Sequence, residues 1–125
     1  MLTGRLIETT TKAAMLTPGI KRYKLAASLI DKGRIVCVKG NSRKTHPLQL
    51  KHSPYPYLHA ESHCIIGHGL DNCSGLDLLV VRVVSNGKLT MAAPCEHCLN
   101  LCRKVGLANV YYSDWKGNIE CLKLL

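Results

Sequence analysis

Two short segments set the strictest condition on how this chain can fold: His59-Ala60-Glu61 and Pro94-Cys95-Glu96-His97-Cys98, which together read H-x-E followed by P-C-x-x-C. His59, Cys95 and Cys98 offer one imidazole and two thiols. These donors suit zinc, which takes nitrogen and sulfur ligands in a tetrahedral arrangement. For all three to reach one ion, segments well separated in sequence must meet, with the aliphatic run 76–84 lying between them.

The number of donors bears on the chemistry. A structural zinc site closes with four protein ligands, whereas a catalytic site uses three and keeps the fourth position for water. Two cysteines spaced as Cys95 and Cys98 can face one ion when they open a helix. Pro94 suits the start of such a helix, where its missing N–H costs little, and the helix's positive end favours thiolate over thiol. Glu61 stands about 200° round a helix from His59, off the imidazole's line to the metal and better placed beside the water. The C-x-x-C alone also fits a redox pair or half of a structural site. A Cys-Cys-His-His site completed by His63, spaced i, i+4 from His59, or by His97 is the main rival, and it leaves Glu61 without a role.

A length of 125 residues and a hydrophobic content of 46% fit a single domain spanning 1–125 with its own core. No run approaches the roughly 18 apolar residues of a membrane span. Residues 1–20 carry threonines and charges where a signal peptide needs an apolar stretch, so a cytosolic protein without membrane association is expected. Seven cysteines is an odd number, and the metal claims two of them. A secreted disulfide framework is therefore improbable, and Cys37, Cys64, Cys73, Cys102 and Cys121 are predicted to be reduced and mostly buried.

Apolar spacing predicts a first helix over residues 3–16 with Thr3 as N-cap, ending before Pro18-Gly19. Residues 24–30 and 34–39 are apolar runs on either side of Asp31-Lys32-Gly33, a hairpin signal, although Leu25-Ala26-Ala27 would also suit a helix. The stretch 41–57 is polar and punctuated by proline, a loop of a length at which function is common. Residues 58–68 read as the helix carrying His59 and Glu61, and 76–84 as a central strand covered on both faces. After the Asn86-Gly87 turn come a strand over 89–93, the second metal-bearing helix over 95–105, and strands over 109–113 and 118–124. Helices alternating with strands in so short a chain imply a sheet with helices packed on its faces, both metal helices on the same side.

H-x-E with P-C-x-x-C is the signature of the zinc-dependent deaminases of cytosine and adenine, and the order of elements resembles the cytidine deaminase-like fold over nearly the whole chain. The resemblance implies a three-layer α/β fold: a mixed five-stranded sheet with helices on both faces. It further implies one Zn²⁺ per chain held by His59, Cys95 and Cys98, with Glu61 as the catalytic residue moving protons first as base and then as acid. A histidine as first ligand is similar to the nucleotide, tRNA-adenosine and nucleic-acid-editing branches; free-cytidine deaminases more often place a cysteine there. Asn41 resembles the asparagine that many members use on the substrate's sugar, and it also reads as a turn residue after Gly40. The backbone at Ala60 and Ala93 looks similarly placed to the family's contacts with the base.

The chain has no Phe, so Tyr55, Tyr57, Tyr112, Trp115 and the histidines are left to stack on a base. Tyr57 and Trp115 are the preferred pocket or rim residues, with a core role as the alternative. The net charge of +9 favours anionic partners. Much of it lies in residues 39–52, where Arg43, Lys44, His46 and Lys51 could hold a 5′-phosphate or a nucleic-acid backbone, or could form a solvated loop.

The favoured expectation is hydrolytic deamination of a cytosine nucleoside or nucleotide (cytidine, deoxycytidine, CMP or dCMP) to the uracil form with release of ammonia. The alternative is a deaminase of cytosine or adenine in single-stranded DNA or RNA, and a third reading is a non-catalytic zinc-stabilised binding protein, against which Glu61 argues. Strands joined by a loop as short as 114–117 must run antiparallel. An antiparallel ending resembles the free-nucleoside branch and favours a small-molecule substrate. Relatives of this size are usually dimers or larger, so a homo-oligomer is expected.

Overall fold

The computed structural model describes residues 2–17, 24–41 and 59–125. Helix α1 (Gly4–Met15) begins where expected, with the Thr3 hydroxyl accepting from the Leu6 amide at 3.4 Å. Its buried stripe is Leu6, Thr10 and Ala14, successive i, i+4 positions. Strands β1 (Lys24–Asp31) and β2 (Arg34–Gly40) pair antiparallel. Lys32 and Gly33 both have positive φ, 50° and 82°. This is the backbone of the tight hairpin turn whose twist matches that of its strands.

The helical option for Leu25-Ala26-Ala27 gives way to strand because β1 has a neighbour on each side and a layer on each face. Ala26 and Ile30 pack with α1, while Ala27 and Leu29 pack on the opposite face. Five consecutive residues, Ala26 to Ile30, are therefore buried, and alternation disappears.

Helix α2 (Ala60–His68) stops at Gly69, whose φ of 105° suits glycine, and a 3₁₀ turn (Leu70–Asn72) follows. The remaining elements are β3 (Asp77–Val83), β4 (Leu89–Thr90), α3 (Glu96–Lys104), β5 (Asn109–Ser113) and β6 (Ile119–Lys123). The sheet order is β2-β1-β3-β5-β6, with β4 paired to β3. Only β3 and β5 run parallel, joined through α3; the β5–β6 pair is antiparallel, as its short connection requires. The sheet is thus mixed, and β4 adds a short sixth strand to the five expected.

The strand predicted over 89–93 is cut to two residues. At Ala92 the amide leaves the β3 ladder and donates to the Ser113 carbonyl at 2.9 Å, and Pro94 has no N–H to continue any ladder.

Leu78 and Val80 of β3 face α2 and α3, whereas Leu79 and Val81 face α1, and all four are fully buried. The three layers are α1, the sheet, and the α2–α3 pair. On the α1 side one polar pair is sealed in. Thr10 Oγ1 donates to the Leu6 carbonyl at 2.8 Å, so its 2.6 Å contact with Ser28 takes the serine hydroxyl as donor. No helix among the described residues is long and apolar enough to cross a membrane.

Candidate metal and catalytic site

The edges of two helices build the site. His59 is extended (φ −70°, ψ 156°) immediately before α2, and Cys95 is extended (φ −69°, ψ 166°) immediately before α3. Pro94 lies two residues ahead of the first helical position, the place that suits proline. The helix begins at Glu96, so Cys95 takes the capping position and Cys98 follows in the first turn.

His59 Nδ1 lies 3.8 Å from Cys95 Sγ and 3.4 Å from Cys98 Sγ, and all three donor atoms lie within 4.8 Å of one another. A tetrahedral ion with zinc's bond lengths would set N···S separations of about 3.5 Å. The donor set and its spacing therefore fit such an ion. Among the described residues, no other His, Cys, Asp or Glu joins this group. His63, the rival fourth ligand, instead uses Nδ1 on the Gly40 carbonyl at 2.9 Å, and His97 is not in the group either.

Electrostatics follows from burial and proximity. Hydrogen bonding from Cys98, helped by His59, brings the Cys95 thiol down to about 3 against the cost of burial. Cys98 moves the other way, its proton held toward Cys95 and its sulfur buried. The hydrogen bond to Cys95 raises His59 above its ordinary value, with burial opposing. The proximity of the three groups thus favours the thiolate at Cys95 over Cys98, and a cation bound by both sulfurs must displace the remaining thiol proton.

Glu61 is 4% exposed. Burial pushes its carboxyl above the ordinary 4.5, while its backbone hydrogen bond and nearby His59 pull it partly back. Glu61 does not stand about 200° round a helix from His59 as expected, because His59 lies outside the helix in extended backbone. Glu61 sits in the first turn of α2, close enough to His59, Cys95 and Cys98 to alter their titration. A buried carboxyl beside a three-donor group is placed to accept a proton from whatever that group holds and to return it.

No protein-family model and no curated protein matches the chain. Solved structures do. A cytidine deaminase from Burkholderia pseudomallei superposes with a TM-score of 0.68 at 17% identity, covering 99% of this chain and 94% of that one. The dCMP deaminase of cyanophage S-TIM5 gives 0.61 at 20% identity in its apo form, covering 91% and 86%. In complex with dCMP and dUMP it gives 0.60 at 21%, covering 92% and 85%. This chain has the cytidine deaminase fold.

Within that fold the other expected site residues fall as follows. Asn41 closes the β1–β2 pair, its Oδ1 accepting from the Leu25 amide and its own amide donating to the Leu25 carbonyl, each at 3.1 Å. Ala60 is buried at the start of α2, and Ala93 is exposed two steps before Cys95. Trp115, in the β5–β6 turn, is 72% exposed, so the core alternative for it is excluded. Tyr112 packs against the core on the α2–α3 face. Tyr55, Tyr57, Arg43, Lys44, His46 and Lys51 lie outside the described residues. The cysteines are all free, as expected: of the five outside the donor group, Cys64, Cys73 and Cys102 are buried and Cys37 half-buried, while Cys121 on the outermost strand is the exposed exception.

Ser113, which the sequence does not single out, supports the segment leading to the site. Fully buried, it donates from Oγ to the Thr90 carbonyl at 2.6 Å, and its carbonyl accepts from Ala92. It thereby ties the end of β5 to both sides of Met91, just ahead of Cys95. A serine closing the apolar run Asn109–Ser113 is its only trace in the sequence.

Proposed function

We propose that this chain is a zinc-dependent hydrolytic deaminase of cytosine nucleosides or nucleotides, converting them to the uracil form and releasing ammonia. The observation that carries the reading is buried Glu61 standing beside the His59, Cys95 and Cys98 donors on a cytidine deaminase fold. Zinc held by those three would lower the pKa of a water and make it a nucleophile at neutral pH.

The proton work falls to Glu61. Its carboxylate accepts one proton from the attacking water and delivers it to the ring nitrogen next to the amino-bearing carbon. It then takes the second proton from the hydroxyl newly bonded to that carbon and passes it to the amino group, so that the C–N bond breaks, the carbonyl forms and ammonia leaves. Backbone groups at Ala60 and Ala93 and the side chain of Asn41 are assigned to holding base and sugar, and Tyr57 and Trp115 to the base face or rim. Lys44 and His46 are assigned to the phosphate. The dCMP bound by the phage structure supports a nucleotide as substrate, and the antiparallel β5–β6 ending supports monomers over polynucleotides. We take the protein to be a cytosolic homo-oligomer working as one domain, a setting with which seven free thiols agree.

The test is a mass-spectrometric deamination panel on zinc-loaded protein, using cytidine, deoxycytidine, CMP, dCMP, adenosine, and short single-stranded DNA and RNA. Turnover is expected with the cytosine monomers, falling about 10²–10⁴-fold in Glu61→Gln while metal content is retained. Turnover confined to polynucleotides would replace this reading with nucleic-acid editing. Undiminished turnover in Glu61→Gln would remove the mechanism.

A further inference from the structure

His63 is unused by the chemistry above, yet it makes a specific long-range contact. Its Nδ1 stands 2.9 Å from the Gly40 carbonyl. A carbonyl only accepts, so Nδ1 carries the proton and the tautomer is fixed. Gly40 is the last residue of β2 and directly precedes Asn41. It is also crowded from behind, since a Cβ there would run into Thr17 Oγ1. The neighbouring Cys64 reaches the same strand lower down, Sγ to the Cys37 carbonyl at 3.3 Å. Cys37 Sγ returns to the Cys64 carbonyl at 3.7 Å. Thiols are weak donors, so the imidazole bond is the firmest of these three ties between α2 and β2.

Asn41 has its own anchor on the other side, through both bonds to Leu25. The peptide at Gly40-Asn41 is thus held between β1 and α2, the helix that carries Glu61 in its first turn.

We propose that His63 is a positioning residue for substrate: by donating to Gly40 it fixes Asn41 relative to Glu61 and so sets affinity for the nucleoside or nucleotide without taking part in proton transfer. This rests on the deaminase reading and on Asn41 contacting the sugar. Losing the tie removes binding made equally in ground and transition states, which raises KM and leaves kcat unchanged.

Three variants test this on zinc-loaded protein, with metal content measured for each. His63→Ala should raise KM for the preferred monomer on the order of tenfold, the value of one well-made hydrogen bond, with kcat held within about twofold. His63→Asn places an amide N–H at the same distance along the side chain as Nδ1 and should restore KM. His63→Gln carries its donor one bond further out and should not. Unchanged KM in His63→Ala, a fall in kcat without a rise in KM, or equal KM for Asn and Gln variants would each overturn the proposal. If alanine prevents folding, the Asn–Gln comparison still decides. A wild-type enzyme inert toward every substrate would instead sink the deaminase reading itself, and the wild-type control reports that separately.

Discussion

A carboxyl buried as deeply as that of Glu61 weakens the fold whenever it is ionised. Its pKa in the folded chain lies above the ordinary 4.5, with burial as the largest cause. Its contribution to stability is therefore fullest below about 4.5 and is lost as pH rises through the folded value. Metal-free Glu61→Gln, which has no charge to bury, should melt at a higher temperature than wild type at pH 7, with the difference closing as pH falls below about 4.5. A lower midpoint for the glutamine variant at pH 7, read by calorimetry, would show that Glu61 is stabilised by its neighbours more than it is penalised by burial. Function and stability then oppose each other at one side chain. The grouping of His59, Cys95 and Cys98 was legible in the sequence because each half of it is a short local spacing that arrives at the start of a helix. The tie from His63 to Gly40 was not, because its acceptor is a backbone carbonyl whose position is set by packing between α2 and β2.

At the scale of elements, the same distinction separates what was read from what was missed. Helix α1 with its Thr3 cap, the β1–β2 hairpin and the antiparallel β5–β6 pair are local, and each carries its own turn or cap signal. The strand expected over 89–93 shortens to Leu89–Thr90 because Ser113, far along the chain, draws Ala92 away from β3. That diversion delivers Cys95 to the end of α3. Ser113→Ala removes the buried donor to the Thr90 carbonyl, which should cost about 1–3 kcal/mol, measurable as a reduced urea midpoint. It should also weaken zinc binding in competition with a chromophoric chelator, because the loop ahead of Cys95 loses one of its two ties while the main-chain bond from Ala92 remains. Unaltered zinc affinity alongside reduced stability would confine Ser113 to holding the sheet together.

For the whole molecule, the net charge of +9 is the feature that pulls hardest toward a polynucleotide. Its distribution matters more than its size. Charges act through solution over a Debye length of about 8 Å at physiological salt. Arg103 and Lys104 occupy the last turn of α3, while Cys95 caps its first. At 1.5 Å per residue they stand roughly 12 Å along the axis from the cysteine end, and the acidic residue in that first turn is Glu96. These two charges add general attraction for anions and do not themselves mark a strand's path across the site. The two substrate classes then differ in their response to salt. A nucleoside offers no phosphate, so its kcat/KM should be nearly independent of salt, and a nucleotide should show a logarithmic slope no steeper than about −1. A bound single strand loses about 0.7 in slope for each phosphate neutralised, so three contacts would give about −2. Measured from 50 to 300 mM salt, over which the Debye length shrinks by a factor of roughly 2.4, we expect the shallow slope with CMP or dCMP. A slope of −2 or steeper, with an oligonucleotide as the faster substrate, would show that the excess charge tracks a nucleic-acid backbone.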